Sequence, residues 1–288
     1  MTDNRYTFGA ILGIAGLMTS IALADGNATK QVGDDVITAQ RGALAATTEG
    51  AGFGPQSPRD IEALAGTNTL DFENAPAYTR MNLCNIHFHE GAEHKGGEFT
   101  KYAGNGDGKG YGTGYVYSGE LSAAELAPVD YEVGTSEHSA LAPGDTVELH
   151  YVHTTAKITP GPTLGACLSD AIMNPQLRVE AQVFVLVNDD SAANFVDLMV
   201  FDMVEGFHQA VNMPNDTGTP VVYDGSTTGP SYNMKGSPLQ VTWSVRPEVM
   251  KVSISSVAAW LDGNAFDEDH AHGVRNLVTN PALLSPIN

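Results

Sequence analysis

Five short segments set what this chain can fold into: MNLCNIHFH (81–89), DTVELHYVH (145–153), LRVEAQVFVLV (177–187), LQVTWSV (239–245) and MKVSISSV (250–257). Each is rich in β-branched and aromatic residues and is bounded by Gly, Pro, Asn or Asp, the pattern of strands buried in a sheet. Helical signals are sparse. SPRDIEALAG (57–66) reads as a short helix with Ser57 at its cap, Pro58 in its first turn and Gly66 near its end. SAAEL (122–126) and LSDAIMN (168–174) read as single helical turns, and SAANFVDLMVF (191–201) fits helix or strand. GNGDGKGYGTG (104–114) lacks both the Walker lysine-serine pair and the spaced carboxylates of a calcium loop, so it reads as a flexible loop. The expected class is mainly β (α+β): a single domain around a large twisted, mostly antiparallel central sheet with a few short helices.

The first residues stand apart from that pattern. An apolar run, GAILGIAGLMTSIALA (9–24), follows Arg5 and ends in Ala22-Leu23-Ala24. It is short for a membrane span, and its small-x-small end suits signal peptidase, so residues 1–24 are expected to be a signal peptide cleaved after Ala24. The alternative is an uncleaved anchor. Cleavage leaves 264 of the 288 residues, enough for one domain with a proper core. Residues 25–56, rich in Gly, Ala, Thr and Asp, are expected to form a loose arm draped over a main domain at 57–288. The net charge of −20 argues against nucleic acid or an acidic membrane as partner. Export, to the periplasm or beyond, also bears on the two cysteines. An oxidising compartment favours a Cys84–Cys167 disulfide, worth roughly 4 kcal/mol on the chain-entropy model, over two free buried thiols.

Chemistry concentrates in the first two strands. Along an extended chain Asn85, His87 and His89 share one face, while Cys84, Ile86 and Phe88 are expected on the other. His-x-His on a strand chelates a metal, and a third imidazole from a neighbouring strand completes a tripod with one position open. In VELHYVH, His150 shares a face with Glu148, and His153 must point the other way. His150 is the expected third ligand because Glu148 can accept its other ring N–H, as Asn85 can for His87. His153 is expected to be a hydrogen-bonded core histidine. A structural zinc site would be four-coordinate and Cys-rich, and Cys84 is expected to point away. Three neutral imidazoles leave the ion its full charge, so a bound water falls from a pKa of about 15.7 to about 7 and hydroxide forms at neutral pH.

NIHFHEGAEHKG (85–96) resembles the signature of delta-class carbonic anhydrases and is similar in layout to the alpha class, where H-F-H-W-G is followed by E-H. ELHYVH (148–153) resembles the alpha-class E-L-H-L-V-H, and VTWSV (241–245) with VSISS (252–256) resembles two further strands of that family. The resemblance spans roughly residues 70–260. It implies an alpha-carbonic-anhydrase-like fold, one zinc per chain on His87, His89 and His150, and reversible hydration of carbon dioxide to bicarbonate and a proton. Glu148 and Asn85 would orient the ligands, Glu93 would hold a gatekeeper hydroxyl, Val152 and Trp243 would wall the substrate pocket, and His94 would be structural. The gatekeeper motif is looser: GSTTGP (225–230) points to Thr228, with Thr227 and Ser231 as alternatives. No histidine matches the family's proton shuttle, which leaves His138, His208, His270 and His272 as candidates.

Two other readings compete. His87, His89 and Glu93 also fit the first half of a cupin motif, with Glu93 as an iron or manganese ligand, but the second half fails because His150 lies six residues beyond Gly144. A non-catalytic periplasmic metal-binding protein would keep the ligands without turnover.

Overall fold

The computed structural model describes residues 30–70, 72–134, 140–228 and 233–287. The expected signal peptide and its cleavage point lie outside them, as do His138 and Ser231. No helix among the described residues is long and apolar enough to cross a membrane.

In chain order the elements are helix α1 (Asp34–Thr48), strands β1 (Asn82–Glu90), β2 (Lys101–Asn105), β3 (Thr113–Val116), β4 (Thr146–Thr154) and β5 (Leu177–Val187), helix α2 (Phe195–Leu198), strands β6 (Phe201–Val204), β7 (Phe207–Ala210), β8 (Val221–Ser226) and β9 (Gln240–Ser253), and helix α3 (Ile254–Leu261). The central sheet runs β1-β4-β5-β9-β8. Three of its pairings are antiparallel and β5–β9 is parallel, so the sheet is mixed and mostly antiparallel, as the strand pattern implies. Two-stranded sheets, β2-β3 and β6-β7, flank it.

Both faces of the sheet are covered. On one, Ile86, Phe88, Leu149, Tyr151, Phe184 and Val252 pack with Phe195 of α2 and with Val257 and Trp260 of α3. On the other, Val152, Val179, Ala181, Val183, Trp243 and Val245 form a second cluster with Ile61 and Phe99. Fully burying each such side chain contributes about 1.5–3 kcal/mol.

Cys84 departs from simple alternation. Leu83 pairs with His153 but Asn85 pairs with Val152, so β1 bulges at Cys84 and carries one residue more than β4 there. The bulge moves Cys84 from the side of Ile86 and Phe88 to the second cluster, where it is disulfide-bonded to Cys167.

The remaining differences from expectation have local causes. Residues 57–66 form no helix: Ile61 N–H donates to Lys95 O, and the buried Arg59 guanidinium takes the carbonyls of Ser285 and Ala63. The arm is not loose throughout, because α1 fills Asp34–Thr48 with Asp34 and Asp35 at its positive end. Only Ile37 and Thr48 of that helix are buried, so it leaves little apolar periodicity to read. The segments 239–245 and 250–257 join into β9, which bulges around Pro247, a residue unable to donate to the ladder. From Ile254 the same stretch turns into α3. Residues 191–201 divide between α2 and the start of β6. Leu126 N–H donates to Ser122 O, closing the expected single turn at 122–126. At 168–174, Ser169 and Ile172 instead form a bridge. The 104–114 segment is the β2–β3 connection, tied by Asp107 Oδ1, which accepts from the N–H groups of Lys109 and Tyr111.

Candidate metal centre

β1 and β4 pair so that His87 stands opposite His150 and His89 opposite Glu148. Strand alternation puts all four side chains on the face of the second cluster. The three rings crowd together, with centroids 5.3 Å (His87–His89), 5.1 Å (His87–His150) and 4.7 Å (His89–His150) apart.

The hydrogen bonds fix which ring nitrogens carry protons. His87 Nδ1–H donates to Asn85 Oδ1 (2.6 Å), and the Asn85 amide nitrogen donates to Gly161 O (3.1 Å), which orients the amide. His89 Nδ1–H donates to the carbonyl of Gly273 (3.0 Å). His150 Nε2–H donates to Glu148 Oε1 (2.8 Å). The nitrogens left with lone pairs are His87 Nε2, His89 Nε2 and His150 Nδ1. His87 Nε2 and His150 Nδ1 face each other at 3.3 Å with no proton between them. Two lone pairs held that close repel unless a cation lies between them. Two nitrogens bound tetrahedrally at about 2.0–2.1 Å stand about 3.3–3.4 Å apart. One ligand atom from each of the three histidines lies within 4.8 Å of the other two. The donor set therefore fits a borderline divalent ion such as zinc.

Burial reinforces the neutral state a ligand needs. It is the main influence pushing His87 well below the usual histidine range and His89 down to about 4, and the neighbouring imidazoles act in the same direction. Burial works against the charge of Glu148, but His94 and His150 outweigh it and hold the carboxyl well below its ordinary value. Glu148 is shared: Oε1 also accepts from His94 Nδ1–H (2.6 Å) and Oε2 from His94 N–H (3.0 Å). His94 Nε2 in turn meets the Tyr223 hydroxyl (2.6 Å).

Three expectations are corrected. Glu93 makes no hydrogen bond with Thr228 among the described residues. Its Oε1 accepts from Arg275 N–H (2.9 Å) and Nε–H (3.4 Å), since a buried carboxylate is better satisfied by a guanidinium than by a neutral hydroxyl. Burial opposes the Glu93 charge, yet His89 and Arg275 bring its pKa down to about 2. Secondly, Val152 and Trp243 are buried in the second cluster and do not line the cavity. Trp243 is held there by its indole N–H, which donates to Ser226 O (3.2 Å), and lies edge-on to His150 at 4.9 Å. Thirdly, Cys84 is kept from any metal by its disulfide and not by strand alternation.

A cavity of about 690 Å³ opens over His87 and His89, with Thr228, Tyr111, Leu164, Met234 and Gln40 of α1 on its walls. His272 also lines it, with its ring 5.6 Å from that of His87. His208 lies elsewhere, on β7 against Phe201. Sequence reasoning missed Gly273 and Arg275. A carbonyl acceptor leaves no residue-type signal, whereas Arg275 stands out as a lone cation in the apolar stretch HGVRNLV (272–278).

A mixed sheet that gathers three imidazoles within reach of one ion, two of them lining an open cavity, defines a candidate metalloenzyme. The profile of the family described as Delta carbonic anhydrase matches residues 78–256, more than half of the chain. The chain belongs to the delta carbonic anhydrase family. A search among curated proteins returns no match. Among solved structures the chain is similar to the Photobacterium profundum alpha-carbonic anhydrase (16% identity, 85% of this chain and 95% of that one, TM-score 0.28). It is also similar to the Thermovibrio ammonificans alpha-carbonic anhydrase in complex with sulfanilamide (17%, 77% and 84%, TM-score 0.26). A third is a hyperthermostable carbonic anhydrase from a hydrothermal vent chimney (15%, 80% and 87%, TM-score 0.28).

Proposed function

We propose that the protein catalyses the reversible hydration of carbon dioxide to bicarbonate and a proton, with one zinc ion on His87 Nε2, His89 Nε2 and His150 Nδ1. The observation that carries this reading is the 3.3 Å approach of two unprotonated nitrogens, each with its other ring nitrogen already committed. Bound there, zinc supplies a Lewis acid that brings the pKa of a coordinated water to about 7.

The chain's own residues do the rest. Asn85, Gly273 and Glu148 each hold one imidazole in the tautomer that presents a lone pair. Thr228, on the cavity wall, is the hydroxyl proposed to orient the reacting oxygen. Arg275 keeps Glu93 ionised and also donates to Ser226 O (3.4 Å), two residues before Thr228. Glu93 and Arg275 would thus act on Thr228 only through the chain two residues before it, at Ser226. The same reading makes the protein secreted or periplasmic, supported by the Cys84–Cys167 bridge. It also makes its partner a small neutral or singly charged carbon species, in keeping with an acidic chain.

Purified protein should contain about one zinc per chain and acidify a carbon dioxide solution in a stopped-flow indicator assay, with inhibition by a sulfonamide. Zinc without turnover would leave a metal-binding protein, and iron or manganese in its place would overturn the assignment.

A further inference from the structure

Away from the triad and the carboxylates packed on it, Glu268, Asp269, His270 and His272 lie close together in one segment. The local backbone explains how they are displayed. His272 N–H donates to Phe88 O (2.9 Å) and its carbonyl accepts from Glu90 N–H (2.8 Å), which pins this segment alongside β1 at His89. Ala271 is buried in the first cluster, while the side chains of His270 and His272 remain 35% and 43% exposed. The two rings stand 5.5 Å apart, against 5.3 Å for His87 and His89.

Each of these imidazoles is backed by its own carboxylate. His272 Nε2 lies 2.6 Å from Glu268 Oε2, and His270 Nδ1 lies 2.5 Å from Asp269 Oδ1. In the neutral ring the nitrogen facing a carboxylate carries the proton, so His272 Nδ1 and His270 Nε2 are the nitrogens open to an ion that displaces any second proton. A carboxylate behind an imidazole is the support that fixes tautomer and raises basicity in metal ligands. Two nitrogen donors suit Cu²⁺, whose affinity for imidazole exceeds that of Zn²⁺, and not the oxygen-seeking Mg²⁺ or Ca²⁺. A net charge of −20 raises the concentration of such cations at the surface.

We propose that His270 and His272 form a second divalent-cation site at the mouth of the cavity, separate from the triad, binding Cu²⁺ most tightly and completing its shell with water. Because His272 lines the cavity beside His87, an ion there narrows access to the triad and slows exchange with it. The site does not depend on what reaction the triad supports.

The test loads the full chain with one equivalent of Zn²⁺, titrates it with Cu²⁺, and counts both metals after dialysis, with electron paramagnetic resonance reporting the nitrogen ligands of copper. One additional copper per chain is expected, bound through two nitrogens, with the zinc retained. His270→Ala should lose that copper while keeping zinc and the same circular dichroism, and Asp269→Asn should weaken it about 10–100-fold. A His150→Ala chain should still take up the His270-dependent copper, so failure of the triad reading would show separately. Copper uptake that His270→Ala leaves unchanged, copper bound only as zinc is released, or no copper beyond the triad would each overturn the proposal.

Discussion

His150 and His153 sit three residues apart on β4, both buried, and they show what a sheet's two faces do to the same side chain. On one face both nitrogens of His150 are addressed: Nε2–H meets Glu148 and Nδ1 faces His87. On the other, His153 Nδ1–H donates to Tyr151 O (3.0 Å), its Nε2 has no hydrogen-bond partner, and its ring lies 5.5 Å from that of Tyr78. Burial, aided by the charge of Arg178 and resisted only in part by the bond to Tyr151 O, pushes the His153 pKa down to about 3. Burial keeps His153 neutral, and what sets His150 apart as a ligand is the polar neighbours on its own face.

The largest contrast comes from deleting each ring. His150→Ala should lose zinc and carbon dioxide hydration together, because two imidazoles make a poor zinc site. His153→Ala should keep one zinc per chain and most of the turnover, while unfolding at lower denaturant because a cavity replaces a packed ring. Metal analysis and urea titration of both variants would check this, and zinc retained in His150→Ala but lost in His153→Ala would reverse the assignment of faces.

Chelation should separate the faces next. Ligand that binds only the folded chain stabilises it by about 4 kcal/mol when present at a thousand times its Kd. Stripping zinc should therefore lower the melting temperature of the wild type and of His153→Phe alike, and leave metal-poor His150→Ala unmoved. A smaller effect is expected from Glu148→Gln, which keeps the shape but loses the charge behind His150. Zinc affinity should fall about 10–100-fold, measured by competition with a chromogenic chelator. Because Glu148 Oε1 also accepts from His94, the amide cannot serve both rings equally, and an unchanged affinity would remove Glu148 from the site.

Strand alternation made much of this site legible in the sequence. His87 and His89 share a face, His150 and His153 do not, and Glu148 lies two residues from His150, all consequences of a two-residue period that the β1–β4 register preserves. Alternation failed at Cys84, where a bulge inserts an unpaired residue that no local residue type announces. It was also silent on contacts between distant segments. The Gly273 carbonyl on His89 lies 184 residues away in sequence, and Arg275 lies 182 residues from Glu93. The α1 helix went unread because its stability rests on intrinsic propensity and on side-chain bonds such as Gln40 to Gly108 O (2.7 Å), not on an apolar stripe.

The finest test of the two-face comparison is the pH dependence of stability. An unfolded histidine takes up a proton near pH 6.5, whereas His153 in the folded chain resists it down to about pH 3. Its folded pKa is depressed, so the contribution to stability is complete above about pH 6.5 and is lost as the pH falls toward 3, by up to about 1.4 kcal/mol per pH unit. Between pH 7 and pH 5, a window above the range where ordinary carboxylates take up protons, His153 alone should cost about 2 kcal/mol. His153→Phe, similar in volume and unable to titrate, should remove that part of the slope and also the unpaired Nε2. Urea midpoints at four or five pH values, with an unchanged m, would measure it. If the variant and the wild type lose stability in parallel across the window, His153 takes up its proton without unfolding, and the apolar face is wetter than its packing implies.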